Sequence, residues 1–199
     1  MNDKITALIT VFGLPLLISI SIFLSLGCNC SKFNTFILDR GISHFSFEYP
    51  SYYEINMISA ENNLTHKYTY ITMTGPRNSL LKKWEASTSI LIMISLVSID
   101  QPNVKTAVDR DISSNVTVPD FVLISRTPTS IAGMEGEEAI YSFTASDSIR
   151  GLSYPKVRRE IFFEGNGLLY EMIIVSSPLN VESDNIDFDH ILNTFRVLP

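Results

Sequence analysis

Two cysteines, three histidines and one dense acidic run are the residues of this 199-residue chain best equipped for chemistry. Cys28 and Cys30 stand together as C-x-C with no second pair elsewhere. They make no four-ligand thiolate site, and the rest of the chain has no internal disulfide. His44 is expected on the polar face of a strand, His66 in a loop, and His190 on a helix away from its apolar stripe. They fall on separate elements with no spaced partners, which is no pattern for a metal. Serine is abundant, but no Gly-x-Ser-x-Gly elbow sets one beside a base. Gly133-Met134-Glu135-Gly136 lacks the lysine of a phosphate loop. The run from Glu182 to Asp189 lacks the central glycine and distal glutamate of an EF-hand. It reads as the capped, acidic start of a helix, with Ser183 or Asp184 as the cap. Asn63-Leu64-Thr65 and Asn115-Val116-Thr117 match glycosylation sequons and nothing more. No catalytic set, cofactor or metal is expected.

The cysteines gain meaning from what precedes them. Ile5 to Leu26 is almost wholly apolar, and no charge lies between Lys4 and Lys32. A polar start, an apolar run and small residues before a cut make a secretory signal. Ser25-Leu26-Gly27-Cys28 resembles a bacterial lipobox, which implies a signal peptide over 1–27, a lipid on Cys28 and a tether over 28–32. The second reading keeps the run as an uncleaved anchor, since about twenty apolar residues span a bilayer core. Both deliver residues 33–199, as one domain, to the extracytoplasmic face of a membrane. The formal charge of −6 with no basic run excludes a nucleic-acid footprint. The sequence leaves the oligomeric state open.

The elements that would position any site follow from periodicity. Phe33–Asp39 and His44–Tyr49 read as strands, the second with Phe45, Phe47 and Tyr49 on one face and Pro50 ending it. Tyr52–Ile58 and Lys67–Thr74 continue the pattern. Ile90 to Val97 is apolar on both faces, which predicts a central strand covered above and below. A helix is expected from Asn103 to Ser114, then a strand over Phe121–Arg126, the apolar Ile131-Ala132-Gly133, and a strand over Glu138–Ala145. Lys156–Glu164 and Leu168–Ser176 form a hairpin about Gly165-Asn166-Gly167. Phe188, Ile191, Leu192 and Phe195 make the apolar stripe of a final helix.

Three strings resemble the PsbP-like family, named for an extrinsic subunit of the photosynthetic oxygen-evolving complex. They are Phe45-Ser46-Phe47-Glu48-Tyr49-Pro50-Ser51 with Tyr53, Thr129-Ser130-Ile131-Ala132-Gly133 before the strand at Ala139, and Leu169-Tyr170-Glu171 with the helix Phe188 to Phe195. Where the family often has Trp after the Tyr-Pro-Ser string, this chain has Tyr52-Tyr53. The resemblance implies an α+β fold, an α-β-α sandwich with a central antiparallel sheet flanked by helices, shared with a small nuclear protein that binds the Ran GTPase. It implies binding rather than catalysis, and it carries no ligating residue across.

The expected function is that of a lipid-anchored domain that binds or steadies a membrane-associated protein. The alternative is a small-ligand-binding or hydrolytic domain with a dispersed site. Partner contact is expected in a connection of about ten residues from Ser146 to Pro155, where Ile149, Arg150, Leu152 and Tyr154 supply apolar and guanidinium groups. Leu152 and Tyr154 can instead fold back to cover the sheet edge.

Overall fold

Alternation of side chains builds two antiparallel sheets. In β2 (Ser43–Pro50), Phe45 and Phe47 are buried while His44 points the other way, as the pleat requires. β1 (Phe33–Arg40) pairs with it, placing Phe36 opposite Phe47. β10 (Arg196–Val197) pairs with its other edge, completing a three-stranded sheet. The computed structural model describes residues 32–40, 43–62, 67–75, 88–96, 103–147, 149 and 151–199, with only the backbone for a few strand residues, Ile94 among them. Cys28, Cys30, the Asn63 sequon, His66 and Arg150 lie outside the described residues.

The larger sheet has seven strands, each antiparallel to its neighbours. Their spatial order is β3 (Glu54–Asn62), β4 (Lys67–Thr74), β5 (Ser89–Leu96), β9 (Leu168–Ser176), β8 (Leu152–Gly165), β7 (Met134–Asp147) and β6 (Val122–Ile131). The apolar run in β5 earned it an interior place, paired on both sides, but the middle strand is β9. Along β9 both faces are buried except at Glu171 and Val175. On β5, Ile90 and Ile92 are buried, whereas Leu91 and Met93 on the opposite face are only half-buried.

Helix α1 (Val104–Asn115) lies one residue on from the expected Asn103–Ser114: Asn103 is its cap, with Oδ1 accepting from the Thr106 N–H at 2.9 Å. Its buried Ala107 and Val108 pack with Ala139, Phe162 and Leu169 on one face of the large sheet. Helix α2 (Val181–Thr194) joins the small sheet on the opposite face. There Phe188, Ile191 and Leu192 meet Phe45, Phe47, Ile92, Phe163 and Tyr170 in the main core. Phe195 sits at its centre, edge-on to Phe163 at 5.5 Å and to Tyr170 at 5.6 Å. The result is an α+β fold in which a large antiparallel sheet separates two helices.

The start of α2 differs from expectation. Asn180 occupies the cap position but makes no side-chain capping bond, and the helix begins at Val181. Asp184 turns inward instead, where it is buried and accepts from the Thr88 hydroxyl at 2.6 Å. A buried partner outcompetes a local cap because an unpaired Thr88 hydroxyl would be costly there.

Candidate functional site

The strands flanking the expected ten-residue loop run further than their patterns suggested. β7 and β8 stay paired to Asp147 and Leu152, through Thr144 opposite Pro155, so the connection shrinks to residues 148–151. Proline removes one donor without breaking the ladder on either side of it. Gly151 closes the turn at φ +63°, and the Ile149 N–H donates to Asp147 Oδ1 at 3.1 Å. Ile149 stands at the tip, 94% exposed. Leu152 and Tyr154 belong to β8 and are half-buried, with Lys156 Nζ 5.5 Å from the centre of the Tyr154 ring.

More apolar surface lies at the same end of the sheet. β6 begins at Val122, opposite Ser142, partway along the long hairpin. The link from α1 to β6 is tied to that hairpin by the Thr144 N–H, which donates to the Pro119 carbonyl at 2.8 Å. Val116, Val122, Leu123 and Ile124 are all exposed. β6 is an outermost strand, and it carries two features that discourage pairing with another strand: a bulge between Leu123 and Ser125, and Pro128. These residues are offered as a side-chain surface rather than as a bare backbone edge. Period-two reading could not find them, because the bulge at Ile124 breaks the alternation.

Beneath α1 lies a charged layer that no motif announced. Tyr141 of β7, Arg158 and Glu160 of β8 and Glu171 of β9 face Asp111 of the helix. Arg158 Nη2 lies 2.7 Å from Glu160 Oε2, 3.3 Å from Asp111 Oδ1 and 3.8 Å from Glu171 Oε1. The Tyr141 hydroxyl is 3.1 Å from both Asp111 Oδ2 and Glu160 Oε2. Glu160 has no exposed surface. Burial opposes the charge on Arg158, yet Glu160, Tyr141 and Asp111 together hold its pKa above the ordinary value. Burial raises the Tyr141 hydroxyl, with Glu160 adding to it, so it stays neutral. Alongside, Arg126 bridges Asp109 of α1 and Glu137 of β7.

The two described histidines do not converge. His44 pairs with Asp39. His190 lies 3.2 Å from Glu48 and stacks on Phe33 at 3.7 Å. Among the described residues no group of three or more His, Cys, Asp or Glu is set to hold a metal ion. A cleft of about 520 Å³ opens at the start of α1, lined by Lys105, Glu135, Glu137 and Glu164 among others. Two of these charges are already engaged, Lys105 by Asp109 and Glu137 by Arg126. Neither a histidine nor a serine lines it.

The architecture is that of the PsbP-like fold. Among solved structures it is similar to cyanobacterial PsbP (CyanoP) from Synechocystis, with a TM-score of 0.52 at 11% identity over 86% of this chain and 96% of that one. It is similar also to LpqN of Mycobacterium tuberculosis, described as involved in cell envelope biogenesis, with a TM-score of 0.52 at 9% identity over 84% and 92%. A protein of unknown function from Pseudomonas aeruginosa gives a TM-score of 0.54 at 14% identity over 85% and 99%. No protein-family model and no curated protein sequence matches the chain. No helix among the described residues is long and apolar enough to cross a membrane.

Proposed function

We propose that this chain is a non-enzymatic, lipid-anchored domain on the extracytoplasmic face of a membrane, and that it binds a membrane-associated protein through the free end of the β7–β8 hairpin. The apolar surface at that end carries the reading: Ile149 at the tip, with Val116, Val122 and Ile124 beside the hairpin, each more than half exposed. Clustered exposed apolar groups mark interaction surfaces more often than solvated ones. Lipid on Cys28 brings the domain to the membrane, and the envelope role in the description of LpqN is compatible with that address. Leu152 and Tyr154 flank the tip as the adjoining apolar and aromatic contacts.

The test uses the full chain in its membrane. A photo-crosslinking residue is placed at Ile149 or Ile124, and at Ile37 as a control, exposed but on β1. The expected result is a discrete membrane-protein adduct from the first two positions and none from Ile37. Ile149→Asp combined with Ile124→Asp abolishes the adduct captured through Tyr154. Equal adducts from all three positions, or none from any, would overturn the reading.

A further inference from the structure

We infer that the carboxyl cluster beneath α1 is a proton-operated latch: with one proton shared between Glu160 and Glu171 the helix is seated, and when that proton leaves, α1 lifts from the sheet. Without that proton the cluster would set three negative charges against one positive. Asp111 of α1, Glu160 of β8 and Glu171 of β9 face one guanidinium, Arg158, and the fifth member, Tyr141 of β7, brings a hydroxyl and no positive charge. The neighbouring Arg126 of β6 is committed to Asp109 and Glu137. β5 sets Met93 opposite Glu171 and contributes no charge. Glu160 and Glu171 both approach Arg158 Nη2, at 2.7 and 3.8 Å, and burial raises both carboxyls; two such neighbours around one cation hold a proton between them. Glu160 Oε1 and Arg158 Nε are buried without a hydrogen-bond partner among the described residues, so no donor there steadies a further negative charge on Oε1.

Ionising the pair leaves three carboxylates around one cation, with Glu160 wholly buried and Asp111 and Glu171 largely so. Something must move, and the elements differ in how firmly they are held. β8 and β9 are interior strands bonded on both edges. α1 is held, apart from the cluster, by the Arg126–Asp109 bridge and by a small apolar contact whose fully buried helix members are Ala107 and Val108. Displacing the helix carries Asp111 out to solvent and uncovers Phe162 and Leu169. Burial, reinforced by Glu171 and Asp111 and opposed by Arg158, pushes the Glu160 carboxyl up to about 9, which places the release on the alkaline side. The latch does not depend on the hairpin surface or on the lipid anchor.

Amide hydrogen exchange of the full chain tests it, with protection corrected for intrinsic rates at about pH 6, 8 and 10. One proton released on opening multiplies the opening constant by roughly ten per pH unit between the ordinary carboxylate range and about pH 9, and no further above it. Protection of the amides in Val104–Asn115 should therefore fall from about pH 6 to 8 and level off towards 10, staying below that of the β9 amides, which open only with the whole fold. Glu160→Gln, a neutral mimic of the protonated acid, should hold α1 protected throughout. Should that variant fail to fold, Asp111→Asn serves, since it removes the helix's own charge from the cluster and should blunt the response. Protection of α1 that ignores pH, that equals that of β9 at every pH, or that falls in the substituted chain as in the wild type would overturn the latch.

Discussion

Arg158 Nη2 lies 2.7 Å from Oε2 of Glu160, a carboxyl with no exposed surface, and this contact is the centre of a five-residue layer between helix and sheet. Its dependence on pH has a definite sign. The folded Glu160 holds its proton up to about pH 9, whereas in the unfolded chain it releases it in the ordinary carboxylate range. Between those limits the folded state binds more protons, so stability must fall as pH rises, on the order of 1 kcal/mol per pH unit for one proton. The contribution is whole below the unfolded pKa and gone above the folded one. Burial raises Glu171 and Asp184 too, in the same direction. Urea midpoints at about pH 5, 7 and 9 should decline in that order. A midpoint that climbs across this window would contradict the assignment.

Removing the cation should be worse than removing one acid. Arg158→Met leaves Asp111, Glu160 and Glu171 facing one another without a counter-charge, and breaking a buried pair in this way costs about 3–5 kcal/mol. Adding Glu160→Gln to that variant should recover part of the loss. A double-mutant cycle measures the coupling between the two sites, and strictly additive losses would show that the residues do not interact.

The main core should be most sensitive at Phe195. Phe195→Ala opens a cavity among Phe45, Phe163 and Tyr170, with an expected loss of about 3–5 kcal/mol, against roughly 2–5 for Ile92→Ala on β5. Thermal denaturation of both variants checks this. If Ile92→Ala left the midpoint unmoved, β5 would not be the buried interior strand described.

The anchor is testable without the domain's function. Cys28→Ser should leave an unprocessed, unlipidated precursor in place of the mature chain. Intact-mass measurement decides it: a wild-type mature protein carrying an unmodified Cys28 would end the lipid reading and leave the uncleaved anchor.

Much of this molecule was legible from period and turn chemistry. Phe45 and Phe47 declared a buried face, Gly165-Asn166-Gly167 declared a hairpin, and Asn103 declared a helix start, because each depends on residues close in sequence. The failures have a physical cause in common. The two-sided apolar pattern of Ile90 to Val97 says that neighbours exist but not how many, so by pattern alone β5 reads as the centre that β9 occupies. Pro155 ended a strand on local grounds, whereas twelve consecutive partners from Gly136↔Phe163 to Asp147↔Leu152 carry the ladder past it.

The charged layer was out of reach altogether. Asp111, Tyr141, Arg158, Glu160 and Glu171 come from four elements, and each by itself is an ordinary polar residue. Local sequence determines which side chains leave a strand on the same face. Only strand order and the seat of α1 decide which of those faces exclude water. That exclusion turns separate acids and a base into one titrating unit.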